Sequence, residues 1–326
     1  MSTKSNVLTL FLNHQAPQFI SGEEMAQQLS VSRTAIWKAV NELKKEGHLI
    51  SSIPSKGYQY QPSDILSAEG IQLHLAEETP AMVIKLLHTS ASTMNDAKLA
   101  ALNGEPANTL IVADTQEAPK GRFGRPFFAK QGGGIYMSIL LRPNQTFAEM
   151  AQYTTIMGVA IAETIERMSG QTTQIKWVND IYMDGKKVCG ILSEAMSDVE
   201  SGQITNVIIG MGINFSIHQQ DFPEDLQEKA TSVFRDTPPI FTRNELIAGI
   251  WNQFYEILSH RLSDYMDTYR QKSFVLGKDV TFVQGGETFQ GRAATITDQG
   301  ELVVQLNDGQ QKVLSSGEIS LKKIQD

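Results

Sequence analysis

Residues 116–127 bring three basic side chains and two glycines together directly after an apolar, strand-like run. The segment reads Gln-Glu-Ala-Pro-Lys-Gly-Arg-Phe-Gly-Arg-Pro-Phe and follows Thr109–Ala113. Glycines let backbone amides approach an anion closely, and the guanidinium groups of Arg122 and Arg125 can each hold two phosphate oxygens. Ligand-binding loops of α/β sheets commonly follow strands. The pattern favours an anion-binding loop, with a solvated basic loop as the alternative, but it is not a P-loop because no Gly-Lys-Ser/Thr follows.

Residues 176–194 predict a strand, a tight turn at Asp184-Gly185 and a second strand. Lys187 falls early on the second strand, and Gly190 leaves room beside it for a ligand. Asn179 and Asp180 are short polar residues inside an otherwise apolar strand, for which an ordinary strand-end turn is the alternative explanation. Because nothing beside Cys189 suggests an activating base, this thiol is predicted to be a small core residue and not a nucleophile.

Residues 207–215 form a third unusual segment, Val-Ile-Ile-Gly-Met-Gly-Ile-Asn-Phe. The pair Gly210-x-Gly212 has no third glycine and no helical pattern after it, which argues against a dinucleotide-binding fold. Glycines within a strand instead predict close approach of a ligand or of another backbone. The six histidines are scattered without ligand spacing, so no metal site is predicted.

The elements that must position these segments alternate between strand-like runs and helix-length stretches. A mixed sheet covered on one side by helices is predicted from the strands Ala81–Leu87, Thr109–Ala113, Ile135–Leu141, Gln174–Val178, Ile181–Met183, Lys187–Met196 and Val207–Phe215 and the helices Ala148–Met168 and Arg243–Tyr269. From about Leu276 the strands become short and are divided by glycine-containing turns. A small all-β barrel is predicted there from Val280–Val283, Glu287–Thr297, Leu302–Leu306 and Gln311–Leu314.

The first 61 residues predict a winged helix-turn-helix. Its helices are Asn6–His14, Ser21–Leu29 and Ser32–Glu46, and its hairpin strands are Leu49–Pro54 and Tyr58–Gln61. Ile36, Val40 and Leu43 recur at helical spacing and face inward, so polar and basic groups of the third helix face outward. DNA contact is predicted for Arg33, Thr34, Trp37, Lys38 and Asn41 of this helix and for Lys56 at the wing tip. A small helical interaction module is the alternative.

Length and charge are consistent with this organisation. A chain of 326 residues with 41% apolar residues suggests a multidomain α+β protein, with predicted domains at 1–64, 65–274 and 275–326. Residues 1–66 hold six Lys/Arg and five Asp/Glu, so within a net charge of −8 the remainder carries −9. Such a chain could bind DNA only through one face of its first domain. The single cysteine and the lack of an apolar run long enough for a signal peptide or a membrane span predict a cytoplasmic protein without a membrane partner.

These residues together resemble the bifunctional biotin–protein ligases that double as biotin-operon repressors, the BirA family. The likeness covers essentially the whole chain. Its most specific stretches, in the family's order, are Gly121-Arg-Phe-Gly-Arg, Lys176-Trp-x-Asn-Asp, Lys187-x-x-Gly-Ile-Leu, Gly210-x-Gly-Ile-Asn and Gly317-Glu-Ile-Ser-Leu. The resemblance implies a winged helix, a central domain of the class II aminoacyl-tRNA synthetase type and an SH3-like C-terminal barrel.

The resemblance also implies a reaction and its partners. Biotin and ATP, with Mg²⁺, would give biotinyl-5′-AMP, from which biotin passes to a lysine of a biotin carboxyl carrier protein of acetyl-CoA carboxylase or a related biotin enzyme. The adenylate would also be the corepressor, because the loaded protein would form a homodimer and bind operator DNA.

The family's site residues can be carried over by position. Those implied in catalysis are Arg122, Lys187 and Asp180. Those implied in biotin binding are Ser92, Thr93, Gln116, Lys120, Gly121, Arg122, Lys187 and Gly190. Those implied in nucleotide binding are Arg122, Arg125, Asn179, Asp180 and Asn214. The chain departs from the family's pattern where Pro119-Lys120 replaces Gly-Arg and where Met94 replaces the Asn that commonly follows Ser-Thr.

Three other functions are compatible with parts of this pattern. A lipoate or octanoate ligase shares the catalytic fold, but the winged helix and the C-terminal domain argue against it. A pure regulator that senses biotin would need no phosphate clamp such as Arg122, Arg125 and Lys187. A ligase whose winged helix does not bind DNA is the third alternative, which DNA footprinting would separate from the repressor.

Overall fold

The computed structural model describes residues 2–14, 18–142, 147–197 and 204–321. It divides into two compact units, one of residues 1–77 with 240–249 and one of residues 78–239 with 250–326. The predicted domain boundaries at residues 64 and 274 remain predictions.

The first unit has the predicted helices and hairpin. It contains α1 (Thr3–Asn13), α2 (Gly22–Gln28), α3 (Arg33–Lys45), β1 (Leu49–Ile53), β2 (Gly57–Gln61) and α4 (Ala68–Leu73). The side chains of Ser2, Ser21 and Ser32 each accept a hydrogen bond from the backbone three residues later and so cap the first three helices. The cap at Ser2 explains why α1 starts before Asn6, the predicted first residue.

The core of this unit lies where α3 packs between α1, α2 and the hairpin. Ile36, Val40 and Leu43 are buried together with Val7 and Met25. Burying apolar side chains of this size contributes about 1.5–3 kcal/mol each relative to exposure. The opposite face of α3 therefore remains exposed for recognition.

The second unit is built on a seven-stranded mixed sheet. Its strands are β3 (Val83–Ser90), β4 (Thr109–Gln116), β5 (Gly134–Leu141), β6 (Gln174–Lys176), β7 (Asp180–Met183), β8 (Lys186–Ser197) and β9 (Ile204–Asn214). They run in the order β3-β4-β5-β9-β8-β7-β6, with β3 and β4 parallel and every other pair antiparallel. All of β5 is buried, as its continuous apolar run indicates.

Five further helices follow in the described part of the chain. They are α5 (Thr93–Leu102), α6 (Phe147–Ser169), α7 (Glu224–Gln227), α8 (Arg243–His260) and α9 (Tyr265–Lys272). Of these, α5 and α6 pack on the sheet, α5 carries part of the site, and α8 begins in the first unit and ends in the second. The prediction of one helix over Arg243–Tyr269 was wrong, because the chain turns at residues 261–264. Ser and Asp side chains compete for backbone hydrogen bonds, and the sequence places both at this turn. The turn is also held by Arg261, whose guanidinium donates to both carboxylate oxygens of Glu163 at 2.8 and 3.1 Å.

The segment between β6 and β7 also differs from prediction. Asn179 lies in a turn of three residues and Asp180 begins β7, so neither is inside a continuous strand. The strand-end turn, weighed as the alternative, is what forms.

The C-terminal region forms an open antiparallel sheet and not the predicted closed barrel. Its strands are β10 (Asp279–Gln284), β11 (Glu287–Ile296), β12 (Leu302–Leu306), β13 (Gln311–Leu314) and β14 (Ile319–Leu321). In the order β13-β12-β11-β10-β14, the two outermost strands do not pair within the described residues. Both are short, and the sequence pattern did not predict β14 at all, since three residues are too few for a periodic signal.

Candidate active site

One cavity of about 220 Å³ in the second unit collects almost all of the predicted site residues. All eight residues predicted to bind biotin line it: Ser92, Thr93, Gln116, Lys120, Gly121, Arg122, Lys187 and Gly190. Arg125, Asn179 and Asp180 line it too. These residues come from the start of α5, the loop after β4 and the β7–β8 hairpin, so the sheet brings together segments that lie far apart in the chain.

Asn214 does not line this cavity. It ends β9 and is buried, and its side-chain nitrogen donates to the carbonyl of Thr231 at 2.9 Å. Its contact with a nucleotide stays a prediction.

A polar corner of the cavity is formed by Ser92, Thr93 and Gln116. The backbone N–H of Thr93 donates to Gln116 Oε1 at 2.8 Å, and the Thr93 hydroxyl donates to the same oxygen at 3.2 Å. The Thr93 and Ser138 hydroxyl oxygens are 2.8 Å apart. With its oxygen engaged twice, Gln116 has its amide nitrogen left to donate into the cavity. Ser92 stands at the N-cap of α5 without capping it through its side chain, so its hydroxyl is also available to a ligand.

Opposite charges meet on the β7–β8 hairpin. Lys187 Nζ lies 2.7 Å from Asp180 Oδ1, and this buried oxygen has no aligned hydrogen-bond partner among the described residues. A Cβ at Gly190 would come within 3.0 Å of Lys187 Nζ. The space beside Gly190, predicted to receive a ligand, thus holds the lysine side chain, and the glycine lets Lys187 reach the carboxylate.

Arg122 is held between the hairpin and the C-terminal region. Its Nη1 donates to Asn179 Oδ1 at 3.3 Å and to the carbonyl of Gly317 at 3.0 Å. Burial lowers the pKa of this guanidinium, while the charges of Asp180 and Glu318 act in the opposite direction. A partly desolvated guanidinium of this kind interacts strongly with an anion, because little water screens it.

Arg125 forms a two-pronged ion pair with Glu318, with both N–O distances at 2.6 Å. The hydrogen bond with Arg125 lowers the pKa of the Glu318 carboxyl below its ordinary value of 4.5. Because the folded-state pKa is depressed, the pair stabilises the fold above the ordinary pKa, and this stabilisation is lost as the pH falls through the lowered value.

Sequence reasoning missed the part that residues 317–319 play in this cavity. Gly317-Glu-Ile-Ser-Leu was singled out as a family stretch, but Gly317, Glu318 and Ile319 were not predicted to line the site. Trp177, Phe123 and Phe127 line it as well. Only the family stretch could have drawn attention to residue 318, because no local pattern pairs residues 193 positions apart.

The structure supports the prediction that Cys189 is a core residue and not a nucleophile. Cys189 is buried, and burial raises the pKa of its thiol, which is the opposite of what a nucleophile needs. Within the described residues, no group of three His, Cys, Asp or Glu side chains could hold a metal ion. In the same part of the chain, none of the helices has the length and apolar character needed to cross a membrane.

The first unit presents a separate groove between α3 and the hairpin. Arg33, Thr34 and Trp37 line it together with hairpin residues 52–55, and the Trp37 side chain is 58% exposed. Lys38 and Asn41 lie around a second depression on α3, and Lys56 is exposed in the hairpin turn. Arg33 forms an exposed ion pair with Glu23 at 3.3 Å, which is worth little in water. The surface is therefore open to a partner.

Comparison with known proteins places these features in one class. Residues 86–214 match the biotin/lipoate A/B protein ligase family, residues 4–59 match an HTH domain, and residues 275–322 match the biotin protein ligase C-terminal domain. The fold and the cavity thus define a protein ligase of the biotin/lipoate class that carries a helix-turn-helix.

Whole-chain relatives narrow this class. The bifunctional ligase/repressor BirA of Bacillus subtilis (strain 168) is 32% identical over 319 residues, which cover 96% of this chain and 97% of that protein. The corresponding protein of Escherichia coli (strain K12) is 27% identical and covers 94% of each. A solved structure of the Aquifex aeolicus biotin protein ligase in complex with biotin and ATP matches with a TM-score of 0.61 and 25% identity, covering 74% of this chain and 99% of that one. This chain belongs to the family of bifunctional biotin ligase/repressors.

Proposed function

We propose that this protein is an ATP-dependent biotin–protein ligase that also represses transcription of biotin genes. The observation that supports the ligase is that a polar corner, Ser92-Thr93-Gln116, and three cations, Arg122, Arg125 and Lys187, line one cavity. The corner offers hydrogen bonds to the polar ring of biotin. The cations suit the biotin carboxylate and the phosphates of ATP.

In the first half-reaction the biotin carboxylate oxygen attacks the α-phosphorus of ATP, and pyrophosphate leaves. The product is biotinyl-5′-AMP. Both reactants are anions, so Arg122 and Lys187 offset their repulsion and stabilise the charge that grows on the phosphoryl oxygens. No enzyme nucleophile is required, which agrees with the inert, buried Cys189.

In the second half-reaction a lysine amine of a biotin carboxyl carrier protein attacks the acyl carbon, and AMP leaves. We assign this carrier to acetyl-CoA carboxylase or a related biotin enzyme. The acyl-adenylate is prone to hydrolysis, and the loop at residues 117–127 is suited to shield it from water.

Mg²⁺ fits this site only as an ion that arrives with ATP. Mg²⁺ prefers carboxylate, phosphate and water oxygens, and it commonly takes one or two carboxylates with the remainder from substrate. Asp180, whose Oδ1 lies 2.7 Å from Lys187 Nζ, is a carboxylate of the cavity that would hold it. When bound, the ion would neutralise phosphate charge.

The repressor activity is assigned to the first unit. Arg33, Thr34, Trp37, Lys38 and Asn41 on α3, with Lys56 in the hairpin turn, would contact operator DNA. Biotinyl-5′-AMP would act as the corepressor, and the adenylate-bound protein would bind as a homodimer. We also assign the central domain to the class II aminoacyl-tRNA synthetase type, which the mixed sheet supports, and the open C-terminal sheet to an SH3-like origin.

Transfer of labelled biotin to a carrier domain tests the ligase directly. Wild type should label the carrier only when ATP is present. Lys187→Ala should lower the rate by about 10²–10³-fold, because a charge that stabilises the transition state is lost. Lys186→Ala is the matched control, since Lys186 donates to the carbonyl of Gln227 at 2.9 Å and does not line the cavity. It should keep the wild-type rate.

Two results would contradict this proposal. Wild-type protein that binds biotin but transfers none would indicate a regulator that only senses biotin. Transfer of lipoate or octanoate in preference to biotin would indicate the other ligase of this class.

A further inference from the structure

The two glycines of β9 that line the cavity each accommodate a neighbouring side chain. A Cβ at Gly210 would lie 2.5 Å from Met94 Sδ and 2.8 Å from Met94 Cγ. A Cβ at Gly212 would lie 2.5 Å from the ring of Phe127. Real Cβ atoms do not come this close to other atoms, so an alanine at either position would displace its neighbour.

Met94 is well placed to shape the ligand site. It follows Ser92 and Thr93 directly in the first turn of α5, and it lines the cavity with them. Met94 is 7% exposed and packs in an apolar cluster with Ala97, Ala101 and Ile208. The thioether therefore packs between this apolar cluster and the backbone at Gly210.

We propose that Met94, seated on Gly210, is a specificity-determining residue that sets the depth of the biotin ring site. This inference rests on the proposed function, which places the biotin ring at Ser92, Thr93 and Gln116. The ring would lie against an apolar thioether at this end of the cavity. Its hydrogen bonds would then come from Ser92, Thr93 and Gln116, which line the same cavity.

This arrangement predicts that the effect of enlarging residue 210 depends on the size of residue 94. An alanine at position 210 forces the Met94 side chain towards the cavity and shortens the site. Removing the methionine side chain at the same time leaves space for the new Cβ. The Ser138 hydroxyl oxygen would remain 3.2 Å from that Cβ, a contact that a shift of a few tenths of an ångström relieves.

The experiment is a double-mutant cycle of Gly210→Ala, Met94→Ala and the double variant in the full chain. Calorimetric titration with biotin alone should give a Kd raised about tenfold in Gly210→Ala, and the double variant should recover most of this loss. Met94→Leu, which conserves volume, should bind biotin nearly as well as wild type. Equal biotin affinity in Gly210→Ala and wild type would overturn the proposal, as would a double variant no better than Gly210→Ala.

Thermal unfolding of the same proteins without ligand separates this proposal from the proposed function. Gly210→Ala should lower the Tm by roughly 3 °C or more, and Met94→Ala should reduce that cost when both are present. Wild type that binds no biotin would overturn the proposed function. Tm changes of Gly210→Ala and Met94→Ala that do not add in the double variant would still show that Met94 packs against Gly210. Additive Tm effects would show that Met94 does not fill the gap at Gly210. If Gly210→Ala does not fold but the double variant does, the pair is established by that difference.

Discussion

The ammonium group of Lys187 is positioned by two neighbouring residues, Asp180 and Gly190. Lys187 reaches the Asp180 carboxylate at 2.7 Å, and a Cβ at position 190 would lie 3.0 Å from its Nζ, so a larger residue there would require the lysine to shift by a few tenths of an ångström. The ion pair restricts the rotamers of Lys187, which lines the cavity. An anionic ligand then meets a cation that is already positioned, and the enzyme spends less free energy on ordering it.

Gln116 offers a residue-scale test of how the polar corner binds its ligand. Gln116→Glu keeps an oxygen for the two Thr93 donors but removes the N–H₂ group and adds a negative charge. We expect the Kd for biotin to rise about tenfold or more, because a charge-bearing group without a donor would face the polar ring. Calorimetric titration with biotin measures this. Glu117→Gln, at an exposed neighbour that does not line the cavity, is the control and should leave the Kd unchanged.

An unchanged Kd in Gln116→Glu would mean that the amide nitrogen does not contact the ligand. The assignment of this corner to the biotin ring would then have to be given up.

At the scale of elements, the turn that carries Asn179 depends on residues much later in the chain. The Trp177 indole N–H donates to the carbonyl of Gly300 at 2.9 Å, and the Tyr269 hydroxyl donates to the carbonyl of Val178 at 3.0 Å. Arg270, next to Tyr269, donates through Nε to the carbonyl of Ile296 at 2.7 Å. Helix α9 and the β11–β12 turn of the C-terminal sheet thus hold the segment that leads into Asp180.

Gly300 makes this contact possible through its conformation. Its φ is +83°, which favours glycine, and a Cβ there would lie 3.1 Å from Thr155 Cγ2. The turn can therefore approach α6 and the Trp177 indole closely.

Trp177→Phe tests whether this turn positions the site. The change removes the indole N–H and retains an aromatic ring. We expect kcat for biotin transfer to fall roughly threefold to tenfold, because Asn179 and Asp180 lose part of their support, while the KM for biotin stays near the wild-type value. Steady-state kinetics of the full chain resolve the two parameters.

Trp251→Phe is the matched control for this variant. Trp251 is buried in α8, and its Nε1 has no hydrogen-bond partner among the described residues. Its replacement should change the Tm by a few degrees at most and leave kcat unchanged. An equal loss of kcat in both variants would show that the effect at Trp177 is one of stability alone.

At the scale of the whole molecule, the two proposed activities belong to different compact units. The cavity is built within the second unit, and the groove along α3 is built within the first. The near-neutral charge of residues 1–66 within an acidic chain agrees with DNA binding through one face only.

This separation predicts that DNA binding can be removed without loss of ligase activity. Lys38→Ala should weaken binding to a DNA site selected by the wild type about tenfold, because one cationic contact is lost, while transfer of biotin is unchanged. Lys98→Ala removes the same charge from the second unit, where Lys98 pairs with Glu194 at 2.5 Å, and should alter neither activity. Footprinting with and without biotin and ATP measures the affinity of each protein for the DNA site. No protection by wild type under either condition would leave a ligase without repressor function.

Much of this molecule could be predicted from local signals in the chain. The serine caps of α2 and α3, the buried stripe of α3 and the alternation of strands and helices are set by neighbours within a few residues, and such neighbours are visible in a linear sequence. Arg122 and Lys187 could be proposed as site residues from the short stretches in which they lie, whereas Ser92 was implied only by its match to the family's Ser-Thr pair.

Only the tertiary structure decided which of these stretches line the same cavity and which further residues contact them. The sequence could not place Glu318 on Arg125, nor the Trp177 indole on Gly300, because these partners lie 193 and 123 residues apart. It also could not tell that Met94 takes the space at Gly210 or that the C-terminal sheet stays open, since both depend on which strands become neighbours. Sequence patterns report local preference, whereas contact between distant side chains is settled by how the strands and helices pack.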